Sequence, residues 1–66
     1  QPGWSALTRS EREIVRLVAK GLTNREIGEQ LFSSPRTVES HLTRVFGKVG
    51  LSSRRDLARE ALRRGL

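Results

Sequence analysis

Side chains able to do covalent or acid–base chemistry are scarce in this sequence, which has one histidine, His41, and no cysteine. A nucleophile, a base and an orienting group therefore have few ways to assemble, and no enzyme activity is expected. His41 has no second histidine, thiol or converging carboxylate to make it a metal ligand. Neither a metal nor a cofactor is expected, and His41 is assigned a structural or phosphate-contacting role. What the sequence does have is guanidinium, ammonium and hydroxyl groups. Ser34, Arg36, Thr37, Ser40, His41, Thr43, Arg44 and Lys48 crowd one short stretch. Such groups donate to phosphate oxygens, and Arg, Ser and Thr also reach the edges of bases.

The charge agrees with this chemistry. The 66 residues carry 13 Lys+Arg against 7 Asp+Glu, a net charge of +6. Residues 1–33 hold five cations against four carboxylates, and residues 34–66 hold eight against three, so the excess lies in the second half. The partner implied is a polyanion, and nucleic acid or an anionic membrane surface both qualify on charge alone. A chain this short buries only about 60% of the surface its unfolded form exposes. Without cysteine staples it must rely on tight helix packing or a partner chain. No apolar run approaches a membrane span and no signal-peptide pattern is present, so a cytoplasmic location is expected. The start at Gln1 rather than Met suggests a piece of a longer polypeptide.

Four helices must position these groups, and their ends are marked locally. Thr8-Arg9-Ser10-Glu11 and Thr23-Asn24-Arg25-Glu26 are capping boxes, in which hydroxyl and carboxylate satisfy orphan amides reciprocally. Ser34-Pro35 is an N-cap followed by a proline suited to the first helical position. Ser52-Ser53 caps a last helix, with Asp56 as its acidic third-position partner. Gly21 and Gly50 are helix stops. The expected fold is all-α, a four-helix bundle containing a helix-turn-helix, with helices over about residues 8–20, 23–32, 35–49 and 54–64. Residues 1–6 read as a lead-in and 7–66 as the domain.

Helical periodicity then sorts the side chains into faces. In the first helix, Ile14, Leu17 and Val18 share one face, and Arg9, Arg12, Arg16 and Lys20 form an opposite, solvated stripe. Ile27 and Leu31 mark the second helix, with Gly28 between them where another helix is expected to approach closely. In the third, Val38, Leu42, Val45 and Val49 fall within about 60° of arc, and Arg36, Ser40, Thr43, Arg44 and Gly47 lie opposite. That outward face suits a major groove about 12 Å wide. Thr37, His41 and Lys48 flank it on one side and Glu39 on the other. In the fourth helix Leu57, Ala58, Ala61 and Leu62 spread over about 140°, more than one docking surface needs. The excess points to a second chain, although all four covering the domain's own core is an equal reading. Arg55, Arg59 and Arg63 occupy its far side. Trp4 is expected to pack at the core's edge.

The combination Gly21-Leu22-Thr23-Asn24-Arg25-Glu26-Ile27, Ser34-Pro35-Arg36-Thr37-Val38-Glu39, His41-Leu42 and Lys48-Val49-Gly50, preceded by Leu7-Thr8 and Glu11-Arg12-Glu13, resembles the LuxR-type (GerE-type) helix-turn-helix domain of bacterial transcription regulators. The resemblance runs from Leu7 to about Leu66. It is nearest in wording to the C-terminal domains of large actinobacterial members. It implies a third helix in the major groove of double-stranded DNA, a fourth helix pairing in a homodimer, and a sensory region N-terminal to this chain. Base contacts would fall on Glu39, Ser40 and Thr43, with Arg44 central on the same face. Backbone contacts would come from Thr23, Asn24, Arg25, Ser34, Arg36, Thr37, His41 and Lys48. Leu57, Ala58, Ala61 and Leu62 would form the dimer interface.

Three positions depart from the family pattern. Ser33 stands where an Ile, Val or Leu is usually buried, with Phe32 expected to cover the gap. Gly28 replaces a common Ala, and Gly47 interrupts the third helix, each costing about 1 kcal/mol in helix stability. A sigma-factor region-four domain shares the helix-turn-helix but not the Lys48-Val49-Gly50 junction with a capped fourth helix after it. A dimerisation module without DNA binding is the reading from another class, and the basic second half argues against it. Few aromatics argue against RNA.

Overall fold

The computed structural model describes residues 3–66. A 3-10 turn at Trp4–Ala6 precedes four helices, α1 Arg9–Ala19, α2 Asn24–Leu31, α3 Pro35–Val49 and α4 Arg54–Arg63. The fold is all-α, as expected, with no strand among the described residues. The bounds of α3 coincide with the expected ones. The other helices are slightly shorter because the expected ranges included their caps.

The helices start where the sequence supplies side-chain caps. Thr8 and Thr23 each accept a hydrogen bond from the amide three residues on, and the Glu11 and Glu26 carboxylates accept one from the cap amide in return, completing both capping boxes. Ser34 accepts from the Thr37 amide ahead of Pro35, and Ser53 accepts from the Asp56 amide. Asp56 makes no reciprocal bond, so this last cap is a half box.

Three helices end on glycine in the left-handed region, at Gly21, Gly50 and Gly65. After α1 the Gly21 amide donates to the Val18 carbonyl and the Leu22 amide to that of Leu17; Gly65 and Leu66 repeat the pattern after α4. These paired bonds satisfy carbonyls that the helix leaves orphaned. The exception is α2, whose left-handed terminal residue is Phe32, at φ +56°.

The core is built from α1 outward. Ile14, Val15, Leu17 and Val18 of α1 are buried with Leu7, Ile27, Val38, Leu42, Val45, Leu57 and Ala61. α1 packs against α4 and α3, while α2 packs chiefly on α3. Trp4 packs against this cluster, and the Arg64 guanidinium lies 4.8 Å from its ring centroid. Trp4 thus packs at the core's edge, as expected. The part of the lead-in at residues 1 and 2 lies outside the described residues.

Two expectations about the α2–α3 turn are corrected. Phe32 does not cover the gap beside Ser33, because its left-handed backbone turns the ring outward and leaves it 97% exposed. Gly28 is needed for close approach, but the neighbour is the turn rather than another helix. A Cβ there would stand 2.5 Å from the Ser33 carbonyl oxygen. The chain folds back because the Ser33 amide donates to the Gly28 carbonyl at 2.7 Å.

Candidate nucleic-acid interface

Burial divides α3 as its periodicity does. Val38, Leu42 and Val45 are buried against the other helices, while Arg36, Glu39, Ser40, Thr43, Arg44 and Gly47 are all exposed. Among the described residues, neither Arg36 nor Arg44 has a carboxylate partner within ion-pair distance. Arg16, Arg25, Arg59, Arg63 and Arg64 each do. The outward face of α3 thus carries two guanidinium groups with no internal anion.

The hydroxyls on and beside this face are partly committed. Thr43 donates its hydroxyl proton to the Glu39 carbonyl at 3.1 Å. Its methyl and oxygen lone pairs remain for an outside partner, and a Thr methyl suits contact with a thymine methyl. Ser34 and Thr37 share a hydroxyl–hydroxyl bond of 3.0 Å, next to the bond from the Thr37 amide to Ser34. Both stay exposed at the start of α3. His41 is half-buried, and its Nδ1 is covered without a hydrogen-bond partner among the described residues. Only its Nε2 edge is then suited to a phosphate.

The start of α2 adds Thr23, Asn24 and Arg25. Thr23 is occupied by its capping box, and Arg25 pairs loosely with Glu29 at 3.8 Å with both side chains exposed. Such a pair is worth little and yields easily to a competing anion. The Oδ1 of Asn24 accepts from Arg54 at 2.7 Å.

Lys48 is placed differently from the sequence expectation. Its ammonium lies 2.7 Å from Glu11 Oε1 and also donates to the Ala6 carbonyl at 3.2 Å. Glu11 is 3% exposed and takes a further bond from the Thr8 amide. The Lys48 bond, with help from that amide and against burial, holds the Glu11 carboxyl below its usual range. Moving Lys48 to a phosphate would strip a buried carboxylate of its cation, which is costly. The sequence held a signal for this pair: Glu11 sits one turn before Ile14 on the apolar face of α1, where an acid requires a partner. Its role in the capping box accounted for it locally and hid that need.

The expected dimer surface is narrowed by burial. Leu57 and Ala61 have no exposed surface, so they belong to this chain's own core and are unavailable to a second chain. Ala58 is half-buried and packs on the core, while Leu62 is 64% exposed.

With a short turn joining α2 to a groove-sized, cationic α3, the arrangement is that of a helix-turn-helix domain. Residues 5–61 match the family described as bacterial regulatory proteins, luxR family (GerE), and the chain belongs to that family. Over 63 residues, 96% of this chain, it is 57% identical to HTH-type transcriptional regulators of Mycobacterium bovis and Mycobacterium tuberculosis. It is 47% identical over 60 residues, 91% of the chain, to the oxygen regulatory protein NreC of Staphylococcus aureus. The chain spans only 7% of the length of those mycobacterial relatives and 28% of NreC. Membership implies a DNA-binding domain of a transcription regulator. No helix among the described residues is long and apolar enough to cross a membrane.

Proposed function

We propose that this domain binds double-stranded DNA sequence-specifically, with α3 in the major groove, as part of a cytoplasmic regulator whose sensory region precedes it. The observation that carries this reading is the face of α3 bearing Arg36, Ser40, Thr43 and Arg44, exposed and without internal anions. Ser40, Thr43 and Arg44 face base edges, and Glu39, if it reaches the groove floor, accepts from cytosine N4. Thr23, Asn24, Arg25, Ser34, Arg36, Thr37 and the Nε2 edge of His41 meet phosphates. Lys48 serves as an internal tie for α3. A second copy docks on α4 through Leu62 with Ala58 at its edge.

Selection of duplexes from a random pool, followed by affinity measurements over a range of salt concentrations, tests the proposal. A two-fold-symmetric consensus bound with a steep salt dependence is expected. Thr43→Ala should relax preference at one base pair, whereas Arg36→Ala should weaken all sequences alike and flatten the salt slope. No salt-sensitive binding at micromolar protein in low salt would sink the reading and favour a protein-interaction module.

A further inference from the structure

Arg54 opens α4, which is the wrong end of a helix for a cation because the orphan amides there carry positive partial charge. Its guanidinium makes up for this placement across the fold. One nitrogen donates to Asn24 Oδ1 at 2.7 Å and another to the Leu22 carbonyl at 2.8 Å. The acceptors lie 30 and 32 residues away in sequence, on the first residue of α2 and on the α1–α2 connection. α2 and α4 otherwise barely touch, so this fork is the principal link between them.

The fork has a chemical consequence for Asn24. Guanidinium has donors and no acceptor, so only the carbonyl edge of the Asn24 amide can face it. The two Nδ2 protons are then turned to the opposite edge, and no acceptor among the described residues takes them. An asparagine free to flip presents donor and acceptor edges alternately, and its acceptor edge repels phosphate. We infer that Arg54 is a positioning residue that locks the Asn24 amide with its donor edge toward the DNA backbone. This rests on the proposed phosphate contact by Asn24; what it adds is the residue that aims it. Leu22 supplies the second anchor, so the guanidinium plane is fixed by two bonds and the amide cannot rotate with it. Lysine, a single point charge on a flexible stem, cannot reproduce that fork.

The test is a double-mutant cycle on the folded domain, with affinity for a selected duplex read at several salt concentrations and the melting temperature of each variant recorded. Asn24→Ala and Arg54→Ala should each weaken binding by about tenfold to a hundredfold, the scale of one hydrogen bond to a charged group. Together they should cost no more than either alone. Because Asn24 is neutral, the salt slope should stay at the wild-type value in all variants. Arg54→Lys should also lose affinity at unchanged slope. Additive losses, a slope lower by about 0.9 in Arg54→Ala, or full affinity in Arg54→Lys would overturn the inference, the second by making Arg54 itself a phosphate contact. A wild type that fails to bind any duplex overturns the DNA reading and this inference with it. Any of the three results on a wild type that binds overturns the inference alone.

Discussion

At its C-terminal end α3 is tied to the start of α1 by Lys48, whose ammonium bridges the buried Glu11 carboxylate and the Ala6 carbonyl. At its N-terminal end α3 has no such long-range tie among the described residues and follows the turn from Phe32 to Ser34, closed by the Ser33 amide bond to the Gly28 carbonyl. There a phenylalanine occupies a left-handed backbone that the other helix ends give to glycine. Ser33 lines an open cleft with Ile14, Leu31, Val38 and His41 and with the polar Arg9, Ser10 and Glu13 of α1, and the His41 Nδ1 has no partner among the described residues. One end of the proposed recognition helix is held by charge and hydrogen bonds, the other by a strained turn over an underfilled site. The domain thus concentrates its specific long-range bonding away from the turn, which is held instead by its short bond and close approach to Gly28.

The strongest way to break this contrast is Lys48→Ala. It leaves Glu11 buried without its cation, for which a cost of about 2 kcal/mol is expected, below the range for fully buried pairs because Lys48 is 33% exposed. In a domain this small that lowers the melting temperature by roughly 10 °C. The pH dependence provides a second readout. The Glu11 carboxyl is held low in the folded state, so its contribution is complete above the usual carboxylate range and is lost as pH falls through the lowered value. Thermal melts from about pH 7 to about pH 3 should show a smaller Glu11-linked loss in Lys48→Ala than in the wild type. If instead Lys48→Ala melts like the wild type and reduces the DNA salt slope by about 0.9, Lys48 is a phosphate contact and the tie is unimportant.

The contrast also explains which parts of the molecule were legible in the sequence. Thr8, Thr23, Ser34 and Ser53 announce their helices because a cap needs only residues three apart. The outward face of α3 is legible because burial of Val38, Leu42 and Val45 fixes where Ser40, Thr43 and Arg44 must lie. The Lys48–Glu11 tie and the Arg54 fork span 37 and about 30 residues, and no local pattern chooses such partners. The width of the α4 stripe was visible, but its division into core Leu57 and Ala61 and exposed Leu62 depends on how far α1 covers it. The Phe32 ring was misplaced for a local reason: a residue after α2 had to take the left-handed conformation, and Phe32 rather than Ser33 does so.

Gly28→Ala tests the tightness of the fold-back at the turn. The added Cβ would lie 2.5 Å from the Ser33 carbonyl oxygen, so the turn must shift. A net loss of about 1 kcal/mol is expected, overpacking outweighing the better helix propensity of alanine. Denaturant unfolding checks it. A stabilised variant would mean that the turn moves freely.

Phe32→Gly should act in the opposite direction. With the ring 97% exposed, little packing is lost, and the left-handed strain of a non-glycine residue is relieved. Relief of about 1–2 kcal/mol of left-handed strain against roughly 0.5–1 kcal/mol of added unfolded-chain entropy gives an expected net gain of about 0.7 kcal/mol in the isolated domain. Equal stability in Phe32→Gly and the wild type would show that the ring makes up for its backbone in solution, and the turn would then be less strained than its φ of +56° suggests.

The smallest expected effect, from Ser33→Val, sharpens the comparison most because its sign is not fixed by local geometry alone. A valine adds apolar surface to a cleft already lined by Ile14, Leu31 and Val38, and burying about half of it stabilises by about 1 kcal/mol. Against this stands the stiffness of a β-branched side chain next to a left-handed residue. We expect a net gain of about 0.5 kcal/mol, seen as a raised denaturant midpoint at unchanged slope. Combining it with Phe32→Gly tests whether the turn is one structural unit. Adjacent residues of one turn should be non-additive, so a double variant gaining less than the sum would show that both act on the same end of α3. Strict additivity would separate the strain at Phe32 from the underfilled site at Ser33. The N-terminal end would then have two independent weaknesses, against the single tie at the other.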